Sequence, residues 1–200
     1  MPQFNLILRN EMKHLMIDLE TMDNKPTSAI TALAAVFFNP ETGEVGQRFY
    51  RRISLSSSVE NGCTIGADTV LWWMRQSTEA RSEFFCDDCQ DLDFALQDFS
   101  EFIQENSDPH HVQVWGKGPS FDNVIIRHAA EKLGYPRPFW NYWNDRDVRT
   151  LEQLAKDLGL NLKSIIPFDG VPHHALYDAI HQAKTVSYVW MYLMNMCGLK

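Results

Sequence analysis

The sequence predicts an α/β fold built on a mixed β-sheet. Two observations carry this prediction: three strand-like segments follow one another near the start of the chain, and helical and strand-like segments alternate after them. Consecutive strands with short connections form antiparallel meanders, whereas alternation of helix and strand adds parallel strands. A doubly wound, all-parallel sheet is the second choice, because the early meander disfavours it.

The three early strands are predicted from their apolar content and from the turn residues between them. Residues 13–19 form a short apolar run that is typical of a buried strand, and residues 29–40 form a longer one. Pro40 and Gly43 then mark a turn. Residues 46–55 alternate between polar and apolar side chains and include aromatic ones, which indicates a third strand.

The rest of the chain alternates between predicted helices and short strands. The helices are expected at 66–75, 92–106, 121–134, 151–159 and about Ala175 to Met196. Short strands are expected at 111–115 and 146–150. The last helix has an apolar side that indicates deep packing, made of Ile180, Ala183, Val186, Val189, Trp190 and Leu193.

Length and composition are those of one soluble globular domain. The chain has 200 residues, of which 44% are hydrophobic and 22% charged, so residues 1–200 are treated as a single domain. Residues 1–11 are either an extra N-terminal segment or an upstream start before Met12. No apolar run suits a transmembrane helix, and the opening residues do not resemble a signal peptide. We therefore expect a cytoplasmic protein with no membrane partner.

The net charge and the cysteines argue against two further classes, a protein that coats nucleic acid and a structural zinc protein. A net charge of -8 argues against a protein that coats long duplexes, because such proteins carry basic faces. It is compatible with an enzyme that holds a few nucleotides beside cation-binding acids. Cys86 and Cys89 form a C-x-x-C pair, and His110 and His111 are the only nearby candidates for the two further ligands of a structural zinc site, which leaves zinc as the minor alternative. Reduced thiols are expected.

Four acidic residues on three separate segments are the main candidates for chemistry. Asp18 and Glu20 stand two residues apart on the first strand, so their side chains face the same way. Asp122 begins a helix after a glycine-rich loop, and Asp178 lies near the start of the last helix. Singly, each has a structural explanation as an exposed strand end or a helix-dipole partner. Together, four hard oxygen ligands suit magnesium or manganese, and two such ions can clamp a phosphoryl displacement.

Two histidines precede the fourth acid. His173 lies five residues before Asp178, in the loop that enters the last helix, and His174 competes with it for any role. A lone histidine is usually a surface or packing residue. Beside a metal site, imidazole suits general-base work near neutral pH, and a mobile loop would let it approach seated substrate.

Three motifs resemble those of the DEDD exonuclease superfamily. They are DLET at Asp18 to Thr21, GPSFDN around Asp122, and HHALYD from His173 to Asp178. The last has the H-x-A-x-x-D form of the DEDDh branch, and the order and separation of the motifs fit over residues 13–196. TVLWWMRQS and GKGPSFDN are similar to a compact bacterial and phage subgroup that includes phage exodeoxyribonuclease A and mycobacterial exoribonuclease relatives. Many relatives continue the first motif with Thr-Gly, whereas Met22 follows the threonine here.

The resemblance implies a ribonuclease H-like fold, with a mixed five-stranded sheet flanked by helices, and a metal-dependent 3′-5′ exonuclease. By this resemblance Asp18 bridges two Mg²⁺ or Mn²⁺ ions. Glu20 and Asp178 complete the shell of the ion that holds the attacking water, and Asp122 holds the second ion through water. His173 takes the proton from the water, and the motif spacing selects it over His174.

Residues next to the motifs are candidates for substrate contacts. Thr21 and Met22 follow the metal-binding strand, so they and the backbone around Leu19 are expected near the terminal sugar and base. Lys117 and Arg149 are candidates for phosphate contact, with a solvated charge as the alternative for each.

Two adjacent tryptophans add a candidate surface for a base. On a helix, Trp72 and Trp73 point about 100° apart, so at least one is expected to be buried. The other is free to stack on a base, and core packing of both is an equal alternative.

The expected function is release of nucleoside monophosphates from 3′ ends of single-stranded nucleic acid or overhangs. RNA is slightly favoured over DNA on the subgroup resemblance. The alternatives are a 3′-5′ exodeoxyribonuclease, a catalytically idle nucleic-acid-binding domain of the same fold, and a small phosphohydrolase acting on nucleotides. The four acids and the histidine disfavour the idle domain. The resemblance and the apolar last helix also allow a homodimer.

Overall fold

The structure is a computed structural model that describes residues 12–85 and 87–198. The alternatives for residues 1–11 lie outside the described residues. The strands are β1 His14–Thr21, β2 Ile30–Asn39, β3 Glu44–Arg52, β4 Gln113–Gly116 and β5 Asp145–Asp147. The helices are α1 Leu55–Glu60, α2 Ala67–Trp73, α3 Thr78–Ser82, α4 Leu92–Asn106, α5 Asp122–Lys132, α6 Val148–Asp157, α7 Leu162–Ile165 and α8 Ala175–Met196, with a 3₁₀ turn at Tyr142–Asn144 before β5.

The five strands form one mixed sheet in the order β3-β2-β1-β4-β5. β1 pairs antiparallel with β2, and β2 antiparallel with β3, which is the expected meander. β4 pairs parallel with β1, and β5 parallel with β4. The α/β prediction with a mixed five-stranded sheet is therefore confirmed.

Each face of the sheet is covered by helices. On one face, Leu15 and Ile17 of β1 belong to a core cluster that contains Phe99 of α4 and Ile126 of α5. On the other face, β1 and β2 contact α8 through a second cluster that includes small side chains on both sides of the interface. The small side chains of this alanine seam are Ala32 and Ala34 of β2 and Ala175, Ala179 and Ala183 of α8. Because alanines project little, the long helix lies close to the sheet.

The parallel pairing of β1 and β4 gathers the functional segments at one edge. Both strands end at the same side of the sheet, and α5 begins shortly after β4 with Asp122 in its first turn. α8 runs back along the sheet, and its first turn carries Asp178. The three segments that held the acidic residues in the sequence thus converge at the carboxyl ends of the two central strands.

Short elements account for the main differences from the sequence prediction. α1 begins at Leu55, where a strand was expected to end, because the Ser54 hydroxyl accepts the Ser57 N–H and caps the helix. Asp147 caps α6 in the same way, accepting the N–H groups of Arg149 and Thr150. The strand expected at 146–150 therefore stops at Asp147.

Two other features concern the membrane and the thiols. Within the described residues, no helix combines the length and the apolar character that a membrane crossing requires. Cys63 and Cys197 are free, as expected. Cys89 is disulfide-bonded, so the expectation of a reduced thiol is wrong there, because sequence spacing does not report oxidation state. Cys86 lies outside the described residues.

Candidate active site

A cleft of about 420 Å³ opens at the carboxyl ends of β1 and β4. It is lined by most of the residues proposed from the sequence: Asp18, Leu19, Glu20, Thr21, Trp72, Trp73, Lys117, Asp122, Arg149, His173 and Asp178. It also contains residues that the sequence did not single out: Asp23, Asn24, Thr69, Phe121 and Gln182.

Three carboxylates form a tight group in this cleft. Oxygen atoms of Asp18, Glu20 and Asp178 lie within 4.8 Å of one another. Asp18 and Glu20 share the face of β1 that is covered by α8, because side chains alternate along a strand. The first turn of α8 brings Asp178 to them across the alanine seam.

Asp122 approaches the group from the other layer of the molecule. Its side chain is 2% exposed. One carboxylate oxygen accepts the N–H of Leu19 at 3.1 Å, and the other accepts the N–H of Lys117 at 2.9 Å. A side chain at Gly116 would press on Asp122, since its Cβ would meet an Asp122 oxygen at 3.0 Å. Asp122 therefore ties β1 to the loop after β4.

Burial and mutual repulsion disfavour negative charge on the acids. Burial, and then the nearby carboxylates of Asp122, Glu20 and Asp178, raise the pKa of Asp18. The pKa of Glu20 is raised by burial and then by Asp178. Burial raises the pKa of Asp122 to about 6, against the lowering effect of its backbone hydrogen bonds. The pKa of Asp178 is also raised by burial.

The donor set fits divalent cations. Carboxylate oxygens are hard ligands, and three residues offer them within one coordination sphere's width. A site that raises the pKa of its own acids becomes favourable when positive charge enters it. The cleft therefore has the chemistry of a divalent-metal site.

His173 faces the cleft from the loop before α8. Its backbone adopts φ 63°, the left-handed region, which no other non-glycine residue adopts in the part of the chain that the structure describes. The N–H of His173 donates to a carboxylate oxygen of Asp178 at 2.9 Å. This bond fixes the strained turn, and the imidazole lies edge-on to Trp72, with ring centroids 5.0 Å apart.

His174 points away to a different set of partners. Its Nδ1 accepts the N–H of Leu176 at 3.3 Å and caps α8. The ring stacks on Tyr50 at 4.7 Å, and Nε2 lies 3.8 Å from a carboxylate oxygen of Glu83, which also accepts the Tyr50 hydroxyl. These contacts give His174 a structural role and leave the cleft to His173.

The two tryptophans have different environments. Trp73 is 4% exposed, and its indole N–H donates to the carbonyl of Thr21 at 2.9 Å. Trp72 is 41% exposed beside His173. One ring is therefore fixed in the core and the other offers an edge and a face at the cleft, while its contact with a base stays a prediction.

Met22 does not line the cleft, contrary to the sequence prediction. The pairing of β1 with β2 shifts register between Glu20 and Thr21. The shift breaks the alternation that would have placed Met22 beside Asp18 and Glu20, and the side chain is buried in the core cluster on the opposite face. Two backbone hydrogen bonds hold Met22: its N–H donates to the carbonyl of Ala29, and its carbonyl accepts the N–H of Gly66.

The remaining predicted contacts occupy the walls of the cleft. Thr21 is buried and its hydroxyl donates to the Asp23 carbonyl at 2.9 Å. The Leu19 side chain is in the core, and only its backbone faces Asp122. The Lys117 ammonium pairs with Glu152 at 2.7 Å. Arg149 is exposed at the rim.

Sequence reasoning missed Gln182. Its Nε2 donates to a carboxylate oxygen of Asp18 at 2.6 Å. It lies four residues after Asp178, so the two side chains share one face of α8. This spacing is a signal in the sequence, but a neutral amide was not counted among candidate site residues.

The fold and the acidic cleft define a 3′-5′ exonuclease of the ribonuclease H-like class. The family model described as "3'-5' exoribonuclease Rv2179c-like domain" matches residues 13–190. The chain therefore belongs to this family.

Individual relatives agree with this assignment. The chain is 28% identical to an exodeoxyribonuclease of Enterobacteria phage T4, over 92% of each chain. The nuclease domain of 3'hExo, described as a DEDDh family member bound to rAMP, has a TM-score of 0.60 at 14% identity, with 95% and 94% of the two chains covered. An E. coli ExoI–ssDNA complex has a TM-score of 0.56 at 16% identity, covering 92% of this chain and 40% of the other. These structures show the shared fold.

Proposed function

We propose that this exonuclease releases nucleoside monophosphates from 3′ ends of single-stranded nucleic acid or overhangs, with RNA favoured over DNA. The observation that carries the proposal is the group of Asp18, Glu20 and Asp178, whose oxygens lie within 4.8 Å of one another in an open cleft. Two Mg²⁺ or Mn²⁺ ions held there would supply positive charge beside the scissile phosphate and lower the pKa of the attacking water.

The acids have different tasks because their surroundings differ. The charges of Asp122, Glu20 and Asp178 all act on Asp18, which has the role of the shared ligand. Glu20 and Asp178 complete the set on the side of His173. Both oxygens of Asp122 already accept backbone N–H groups, so it suits contact through water.

His173 has the role of proton acceptor. Its backbone bond to Asp178 fixes the distance between the loop and the acids, so the imidazole is held at the cleft rather than in the core. General-base catalysis of this type contributes typically about 10²- to 10⁴-fold to rate.

Substrate contacts are proposed on the cleft walls. Trp72 presents an exposed ring for stacking on a base, and Arg149 presents an exposed cation at the rim for a phosphate. The Lys117 ammonium would have to leave Glu152 to reach a phosphate, so its backbone N–H bond to Asp122 is its firmer role.

RNA is proposed as the preferred substrate because the matching family is described as exoribonuclease. DNA is the second candidate, because the phage relative is an exodeoxyribonuclease. The two differ by the 2′-hydroxyl alone at each sugar.

A paired assay tests both candidates. RNA and DNA of one sequence, each as a single strand and as a blunt duplex, are labelled at the 5′ end and incubated with Mg²⁺. We expect stepwise shortening from the 3′ end, faster on single-stranded RNA, and none with Asp18→Asn. Faster loss of DNA would select the second candidate, and no shortening of any of the four substrates would contradict both.

A further inference from the structure

Gln182 connects the last helix to the central acid of the cleft. Its side chain is 4% exposed. Nε2 lies 2.6 Å from a carboxylate oxygen of Asp18, and the cleft wall includes Gln182. The other end of the amide, Oε1, is buried and has no hydrogen-bond partner among the described residues. One half of this buried amide is satisfied and the other half is not.

The chemistry of the amide fixes which end faces Asp18. A carboxylate only accepts hydrogen bonds, so the NH₂ group must point at Asp18 and Oε1 must point away from it. An amide oxygen left unpaired in a protein interior costs about 1 to 3 kcal/mol. Because this oxygen is itself buried, the polar contact that Gln182 makes at the cleft is the one through Nε2.

We propose that Gln182 is a positioning residue of the cation site, which holds Asp18 in place through the hydrogen bond that Nε2 donates to its carboxylate. This inference rests on the proposed function, because it assigns Gln182 to the site that the proposed function uses. The donated hydrogen bond occupies one lone pair of Asp18 and leaves the others directed at the cation. Partners of this kind orient ligands in known metal sites.

A neutral amide meets the requirements of this position better than a charged residue. The cleft already holds Asp18, Glu20 and Asp178 within 4.8 Å. A further carboxylate at position 182 would add repulsion and could not donate to Asp18, whereas a lysine would occupy the place of the cation. Glutamine donates to an acid with no change in net charge.

The competing explanation is packing alone. α8 crosses the sheet through Ala179 and Ala183, and a residue between them fills space. If packing were the whole role, an apolar side chain of similar volume would replace Gln182 without effect on cation binding. By contrast, mutation of a residue that hydrogen-bonds to a metal ligand typically lowers metal affinity by about 10- to 100-fold.

The test measures cation binding in the absence of nucleic acid. Gln182→Met keeps the volume and removes both polar atoms, while Gln182→Asn keeps the amide but withdraws it from Asp18. Titration calorimetry with Mn²⁺ gives the dissociation constant for each full-length variant. The matched control is Thr185→Val on the same helix, because the buried Thr185 hydroxyl bonds only the His181 carbonyl of its own helix.

We expect both Gln182 variants to raise the Mn²⁺ dissociation constant about tenfold or more, and Thr185→Val to leave it unchanged. On an oligonucleotide at saturating Mg²⁺, kcat should fall while KM stays within a few-fold. Far-ultraviolet circular dichroism identifies folded variants, and if Gln182→Met does not fold, Gln182→Asn gives the answer. Unchanged Mn²⁺ affinity in the folded variant overturns the inference.

The outcome separates this inference from the proposed function. If the unmodified protein shortens nucleic acid but the Gln182 variants bind Mn²⁺ as it does, only the role of Gln182 is wrong. If the variants lose Mn²⁺ affinity while the unmodified protein degrades neither RNA nor DNA, only the proposed function is wrong.

Discussion

Replacement of Asp18 by asparagine should stabilise the metal-free protein while abolishing its activity. The substitution removes one negative charge from three carboxylates whose oxygens lie within 4.8 Å. It keeps an oxygen that can accept the Gln182 hydrogen bond. The substitution should therefore raise stability and remove activity, because the clustered charges serve cation binding and destabilise the metal-free fold.

The size of the effect follows from the site geometry. Two full charges 4.8 Å apart repel by about 3.5 kcal/mol at an effective dielectric constant of about 20. Because raised pKa values leave the acids partly protonated, we expect Asp18→Asn to gain about 2 kcal/mol, or about 6 °C in melting temperature.

The pH dependence gives this prediction its sign. An acid whose pKa is raised in the folded state binds more protons there than when unfolded, so stability falls as pH rises toward and through the folded pKa. The destabilisation of the folded state by these buried acids is present at pH 7.5. It is relieved near pH 4, where the acids of the folded protein are protonated. The difference in melting temperature between the variant and its parent should therefore shrink on acidification.

Thermal melts in EDTA at pH 7.5 and pH 4 measure the gap directly. Asp157→Asn, at an exposed position on α6, is the matched control and should show no gap at either pH. Mg²⁺ should raise the melting temperature of the parent more than that of Asp18→Asn. A variant that melts below its parent at pH 7.5, or an equal gap at both pH values, would refute the reasoning.

Three further predictions concern catalysis. His173→Ala should lower kcat about 10²- to 10⁴-fold with KM within a few-fold, whereas His174→Ala should lower stability by about 1 kcal/mol through loss of a helix cap; equal losses of kcat in steady-state assays would contradict these roles. Arg149→Ala should raise KM for an oligonucleotide at low salt and leave kcat nearly unchanged, and an unaltered KM would place the side chain outside the substrate path. EDTA should stop nucleotide release and excess Mg²⁺ or Mn²⁺ should restore it, so persistent release in EDTA would exclude a metal-dependent reaction.

Long periodic segments were predictable from the sequence, and short capped ones were not. The last helix spans Ala175–Met196 as expected, because its apolar residues repeat over six turns. α1 was missed because a single hydrogen bond starts it: the Ser54 hydroxyl caps the helix where a strand was expected to continue. Short elements depend on such local bonds, which periodicity does not record.

The candidate site residues also divide into those that the sequence revealed and those that only the folded structure reveals. Asp18 and Asp178 were found because motifs place acids at characteristic separations. Met22 was misplaced because its position just after the first strand does not reveal the register shift between Glu20 and Thr21 or the burial of its side chain in the core. Gln182 was missed because its importance arises from contact with Asp18 across 164 residues of chain. Contacts of this kind become visible only when helix and sheet are packed together.

The alanine seam also limits how this nuclease can change over evolution. In most interiors an alanine can grow to valine if neighbours adjust, and the loss is a matter of stability alone. Here an added methyl at Ala34 or Ala179 would act as a spacer that lifts α8 from the sheet. It would carry Asp178 away from Asp18, so the geometry offered to the proposed cation depends partly on side chains that do not line the cleft.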